Sequence, residues 1–307
     1  IQRCIKSVLK QTYKDLEIIV VDDHSPDNSI PLLIDAISDY PDREKQVKII
    51  RHNKNLGLAQ ARNSAILAAT GTYVFHLDSD DYLLEDSVID YFVKLAKQTG
   101  ADIIEGDFIK IYSKENNVKE IIQRKYSDKM KVLKNIIIKK DNFTVWNKLI
   151  RKELYQRYRI YAQPGINYGE DYVTTPRLYY HASKIVHLPL FSYGYNLENT
   201  TSFFANRTNW NNLFSMIDSN RFLYAFFKEK HEKLLVKYVD VMYLETMAHL
   251  LLNCCNKCEI KNVSEHFTEC HYRNIIAMRP KLILILLIYL IGLHSVLLRI
   301  GKIYRKR

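Results

Sequence analysis

The stretch "HLDSDD" at residues 76–81 places three carboxylates, Asp78, Asp80 and Asp81, directly after an apolar run from Tyr73 to Leu77. Like charges this close repel one another, so the arrangement calls for a cation. Carboxylates interrupted by a serine suit a hard divalent ion, Mg²⁺ or Mn²⁺. Such an ion takes one or two carboxylates and leaves the rest of its shell to phosphate oxygens. Helix capping by Asp80 or Asp81 is the competing reading. A calcium loop is disfavoured, because no glycine and no distal glutamate follow at EF-hand spacing. A second pair, Asp22 and Asp23, with Ser25 and Asp27 after it, can hydrogen-bond a base and a ribose or can simply build a turn.

The surrounding elements decide whether these groups can meet. "LEIIVVDDHS", "QVKIIRHN", "TYVFHLDSDD" and "ADIIEGDFIKIY" read as strands. Between and around them, "IQRCIKSVLK", "SIPLLIDAISDY", "GLAQARNSAILAAT" and "EDSVIDYFVKLAKQTG" carry apolar residues at helical spacing. Strands alternating with helices predict a mostly parallel α/β sheet with helices on both faces. Both acidic clusters then lie at carboxyl ends of strands, where such sheets bind ligands. Beyond residue 112 the pattern loosens until about 205, a helical region follows to about 278, and an apolar and basic tail closes the chain at 279–307.

Length and composition fit a globular protein of one large or two ordinary domains: 307 residues, 47% hydrophobic and 26% charged. The net charge of +11 is local. Residues 279–307 hold seven Lys or Arg and no acid, and the remaining 38 basic and 34 acidic residues leave +4. A nucleic-acid partner loses its main support. Five cysteines, four of them between Cys254 and Cys270, with no signal-peptide pattern, predict reduced thiols in a reducing compartment. Cys255, Cys258, His266 and Cys270 have a metal-ligand look, but their spacing matches no standard zinc site.

Three blocks, "IQRCIKSVLKQTYKDLEIIVVDDHSPDNS", "NKNLGLAQARNSAILAATGTYVFHLDSDD" and "GEDYVTTPRLYYHA", resemble in order and spacing the family 2 glycosyltransferases, whose fold is GT-A. The resemblance covers roughly residues 1–205, dividing them at about 112 into a nucleotide-sugar-binding half and an acceptor-binding half. It implies inverting transfer of a sugar from a nucleotide-sugar donor, most often a UDP-sugar, with Mn²⁺ or Mg²⁺ as cofactor. By that likeness Asp22, Asp23 and Ser25 meet the nucleoside, Arg62 of "ARN" reaches the nucleotide, and Asp78 and Asp80 form the metal motif. Asp78 then lies near the ribose or sugar, Asp80 on the metal, and Asp171 of "GED" is the general base. "VWNKLIRKEL" is similar to the family pattern too, offering Trp146 to stack on an acceptor sugar and Lys148 to approach a phosphate, each equally readable as structural. Glu170 joins Asp171 at that site, and Thr201 and Ser202 suit a diphosphate loop in which Asn196 stands where an arginine is often found. The family opens with a strand ending near Pro-x-Tyr-Asn. None precedes Ile1, so a fragment lacking the first strand is expected. A nucleotidyltransferase and a non-catalytic nucleotide-binding or membrane scaffold are the rival readings.

Leu282 to Leu298 are 17 residues without formal charge, flanked by Arg279 and Lys281 on one side and by Arg299, Lys302, Arg305, Lys306 and Arg307 on the other. That length is marginal for crossing a bilayer. Nucleotide sugars are cytoplasmic, so a crossing would export the cations against the positive-inside tendency. The expectation is association with the inner face of the cell membrane, spanning or lying on it, and a glycan or lipid-linked acceptor. A C-terminal core helix is the alternative.

Overall fold

The β-branched run Ile18–Asp22 forms strand β1, preceded by helix α1 (Gln2–Leu9) and followed by α2 (Ser29–Ser38), the short α3 (Pro41–Glu44) and β2 (Val47–Arg51). β1 and β2 pair in parallel from Ile18 opposite Val47 to Asp22 opposite Arg51. The apolar stripes of α1 and α2 bury Ile5, Leu9, Leu33, Ala36 and Ile37 together with Ile18, as helical spacing requires. The structure, a computed structural model, describes residues 1–112, 117–123, 128–166, 168–197, 210–267 and 272–304.

Next come α4 (Leu58–Ala68), β3 (Tyr73–Phe75), β4 (Tyr82–Leu83), α5 (Val88–Thr99), β5 (Ile103–Tyr112) and β6 (Asn117–Ile121). After α6 (Lys129–Ile137) lie β7 (Lys148–Arg151), α7 (Lys152–Arg157), α8 (Glu170–His181) and β8 (Ile185–Asn196). A six-stranded sheet runs β3-β7-β5-β8-β4, with β6 on β5. Only β5–β8 is parallel in it; β3–β7, β5–β7, β4–β8 and β5–β6 are antiparallel. The expected mostly parallel sheet is therefore corrected to a mixed one, and the β1–β2 pair forms a separate sheet. The physical reason is insertion. β3 and β5 point the same way, as their crossover helix α5 demands, but β7, from much later in the chain, enters between them reversed. Periodicity registers crossovers and is silent on a strand arriving from a distance.

Apart from the end of α6, these elements lie in one compact unit, residues 1–132 and 141–205; residues 133–140 and 206–307 make up a second. The second unit is helical: α9 (Trp210–Glu229), α10 (Lys233–Asn253), α11 (Lys257–His266), α12 (Pro280–Leu290) and α13 (His294–Tyr304). Its core gathers Leu244, Met247, Leu251, Cys254, Leu286 and Leu297, among others. The 17-residue run expected at Leu282–Leu298 is broken. Gly292, with φ of 78°, turns the chain between α12 and α13. No helix among the described residues is long and apolar enough to cross a membrane. Cys255 and Cys258 are exposed thiols, and Cys270 lies outside the described residues.

Candidate active site

Arg62 sits where α4 approaches the six-stranded sheet and the start of α8. Its Nη1 donates to Glu170 Oε1 at 2.6 Å and Asp171 Oδ1 at 2.5 Å, and its Nη2 donates to Asp78 Oδ1 at 2.9 Å. Two backbone turns deliver these groups. Gly57, with φ of 88°, starts α4, and Gly169, with φ of 100°, starts α8 so that Glu170 and Asp171 are its first two residues. Glycine alone adopts such angles without steric cost. Asp78 follows β3, whose continuation is tied down by a bridge between His76 and Trp146.

One guanidinium thus faces three carboxylates, with Arg62, Glu170 and Asp171 all buried. Burial alone would lower the Arg62 pKa, but Asp171, Asp78 and Glu170 hold it well above its ordinary value. Burial pushes Asp171 up, to about 8, with Arg62 pulling the other way and Glu170 and Asp78 adding to the rise. Glu170 is raised for the same leading reason. His76 lines a small cavity beside Arg62, Asp171 and Tyr155. Burial, helped by Arg62, lowers its pKa to about 3, so it is a neutral imidazole there, 3.0 Å from the Tyr155 hydroxyl.

The acidic triplet divides its duties. Asp81 is fully buried. It accepts the Tyr193 hydroxyl at 2.6 Å and the Asn196 N–H at 2.7 Å, and the same hydroxyl accepts the Asp78 N–H at 3.2 Å. Burial pushes the Asp81 carboxyl up to about 8 despite those hydrogen bonds. Asp81 therefore fixes the loop to the end of β8 rather than capping a helix. α1 braces the loop from the other side: Ser7 Oγ accepts the Leu83 N–H at 3.1 Å, and Arg3 donates to the Asp80 carbonyl at 3.4 Å.

Asp22, at the end of β1, accepts the Ser25 N–H at 2.9 Å. Asp23 braces the neighbouring turn: it accepts the N–H groups of Leu56 (2.8 Å) and Gly57 (2.7 Å) and pairs with His52 Nδ1 at 2.7 Å. His52 Nε2 in turn meets Ser64 Oγ at 2.9 Å. Burial opposes the Asp23 charge, but His52 and the two N–H groups outweigh it and lower its pKa. Asp23 and Arg62 are thereby linked through α4.

The packing bears on further expectations. Arg62, expected to reach the nucleotide, directs Nη1 and Nη2 to carboxylates. Trp146 is a core residue, stacked on Tyr193 and Tyr195 and edge-on to Phe108, and is not presented to an acceptor. Lys148 is buried with its Nζ 3.8 Å from Glu105 Oε1; burial lowers its pKa, with Glu105 and Asp171 pulling the other way. Glu105 also accepts the Tyr179 hydroxyl. Thr201 and Ser202 lie outside the described residues.

The chemistry of the donor set tests the metal expectation. With Asp81 engaged inside, the loop offers the carboxylates of Asp78 and Asp80. No group of three or more His, Cys, Asp or Glu among the described residues is arranged to hold a metal alone. Two carboxylates fit Mg²⁺ or Mn²⁺, which complete their shell with water and phosphate, and do not fit zinc, which wants a nitrogen- or sulfur-rich tetrahedron.

Residues 1–159, more than half of the chain, match the family described as Glycosyl transferase family 2. The chain belongs to that family. It is 32% identical over 176 residues to the glycosyltransferase EpsJ of Bacillus subtilis (strain 168), a stretch covering 56% of this chain and 49% of EpsJ. The chain thus spans about half the length of that relative. The fold is similar to S. aureus TarS 1-349 in complex with UDP, with a TM-score of 0.69 and 17% identity, covering 100% of this chain and 87% of that one. It is also similar to the mannosyltransferase PcManGT of Pyrobaculum calidifontis in complex with GDP-Man and Mn²⁺, with a TM-score of 0.55 and 14% identity, covering 98% and 80%. These likenesses show a GT-A-like α/β fold with a C-terminal helical region.

At this candidate site, sequence reasoning passed over three residues. His52, Tyr155 and Tyr193 carry no motif of their own. The one available signal for Tyr193 is its place in "YGY", at the end of a strand that reaches the acidic loop.

Proposed function

We propose that this chain transfers a sugar from a nucleoside diphosphate sugar, UDP being the expected carrier, to an acceptor hydroxyl with inversion, using Asp171 as general base. The observation that carries this reading is the Arg62 bracket, which joins Asp78 of the acidic loop to Asp171 at the head of α8. A donor-side carboxylate and a base-side carboxylate are thereby held in one frame.

Asp171 takes the proton of the acceptor hydroxyl as that oxygen bonds to the anomeric carbon. The bond from that carbon to the diphosphate oxygen breaks, and its electron pair leaves with the nucleoside diphosphate. With one carboxylate taking the proton and no enzyme group attacking the anomeric carbon, the displacement is direct and the configuration inverts. Asp78 and Asp80 would hold Mg²⁺ or Mn²⁺, which supplies charge neutralisation for the departing diphosphate. Arg62 serves as a positioning residue for this base: its hydrogen bonds to Glu170 and Asp171 orient both carboxylates. The reading gives Asp22, Asp23 and Ser25 to the nucleoside, with Asp23 also bracing the turn beneath them. A glycan or lipid-linked hydroxyl is the acceptor class that the reading adopts.

The stereochemistry is tested by ¹H NMR of the product formed from an α-linked UDP-sugar. A β-linked product supports inversion, and a retained α-linkage rejects it. A base role for Asp171 predicts that Asp171→Asn lowers kcat by roughly 10²–10⁴, with UDP affinity retained.

A further inference from the structure

The hairpin of α12 and α13 buries one side in the second unit and, among the described residues, leaves the other exposed. Leu282, Ile285, Leu286, Ile288 and Leu297 belong to the core, and Arg279 anchors the start of the hairpin through Glu245 at 2.6 Å. Outward, α12 presents Leu284, Leu287 and Leu290, spaced three apart on one face; the turn presents Ile291 and Leu293, and α13 presents Val296 and Ile303. Ile291 is 67% exposed and Leu284 56%. Lys281 on α12 and Arg299 and Lys302 on α13 are also exposed.

From these observations we infer that this surface is a monotopic docking site for an anionic lipid bilayer, with the turn at Ile291–Leu293 entering the interface. Charge selects this occupant. Residues 279–307 hold seven cations and no acid, which suits acidic headgroups in front of an apolar layer. A second copy of the chain docking face to face through the same patch would bring together two surfaces of like charge, each carrying Lys281, Arg299 and Lys302, which repel. Crossing the bilayer is excluded for these helices by their length. The turn at Gly292 gives the apolar run a geometry that its sequence left open: two short helices that lie on the membrane. This inference needs neither donor nor base, so it stands or falls separately from the transfer reaction.

The test is co-sedimentation of the full chain with vesicles of phosphatidylcholine alone or with roughly 30% phosphatidylglycerol, the acidic lipid supplying the surface potential. Binding is expected to the anionic vesicles only and to weaken with salt. Arg299→Glu with Lys302→Glu should weaken it by roughly tenfold or more. Ile291→Glu, a change at an exposed side chain, should also remove most binding while leaving the thermal melt of the protein unchanged. Binding by these variants equal to that of the unaltered chain overturns the inference, as does absence of binding to anionic vesicles. A dimer that Ile291→Glu dissolves, in a chain that ignores vesicles, would assign the face to self-association instead.

Discussion

Arg62 answers the puzzle that the clustered acids of this chain pose, and it does so with a residue from another element. Its guanidinium is the positive charge beside Asp78, Glu170 and Asp171. Removing it leaves buried carboxylates without a partner, a situation that costs about 3–5 kcal/mol, so Arg62→Ala should lower the urea midpoint of the first unit sharply. Arg62→Lys keeps the charge but not the planar fork that serves several carboxylates at once. Its expected signature is a near-normal fold with kcat reduced more than KM; a normal kcat would deny Arg62 its role in orienting the base. The residue types at Asp78 and Asp171 were legible as chemistry in the sequence. Arg62 was legible too, as a residue for the nucleotide; its contact with them was not, because Arg62 and Asp171 stand 109 positions apart and no local pattern encodes such a contact.

A raised carboxyl group gives the first unit a definite pH response. Asp81 is pushed up to about 8, from an ordinary 3.8, mainly by burial. The folded state therefore keeps a proton that the unfolded chain releases above about pH 4. The stabilisation from burying the neutral acid is complete below that point and is lost as pH rises towards 8. Melting temperature should fall across this window in the metal-free protein. Asp81→Asn, which cannot ionise and still accepts one hydrogen bond, should flatten the decline; parallel curves for the two proteins would contradict the assignment to Asp81.

At the scale of elements, the placement of the base depends on how α8 begins. Gly169 at φ of 100° aims Glu170 and Asp171 at Arg62. An alanine there meets backbone strain of about 1–2 kcal/mol and should shift the helix start, reducing turnover as well as stability. A Gly169→Ala protein with unaltered kcat would show that the angle is not needed. The alternation of β1, α2, β2, α4, β3, α5 and β5 was readable from apolar spacing, since each element carries its own period. The position of β7 between β3 and β5 was not, because antiparallel insertion depends on partners far along the chain. The tail shows the same limit: composition marked it as apolar and basic, while the break came from one glycine, Gly292, which the absence of formal charge did not disclose.

At the scale of the whole molecule, the chain carries two separable chemistries. Residues 1–132 and 141–205 hold all the described candidate site residues in one unit, and the cation-rich stretch belongs to the other. The +11 net charge is thus a property of one end of the chain and says little about the ligand at the acidic site. Variants at Ile291 or Arg299 should accordingly leave UDP affinity unchanged, as titration calorimetry would register, while changing affinity for vesicles.

The central claim is that Asp171 is the base of a sugar transfer, and release of UDP tests it most directly. The unaltered chain and its Asp171→Asn variant are compared across a panel of UDP-sugars with Mn²⁺ or Mg²⁺ and a hydroxyl acceptor. The account predicts metal-dependent UDP release that falls by roughly 10²–10⁴ in the variant while its affinity for UDP is unchanged. Equal release by the two proteins would contradict it.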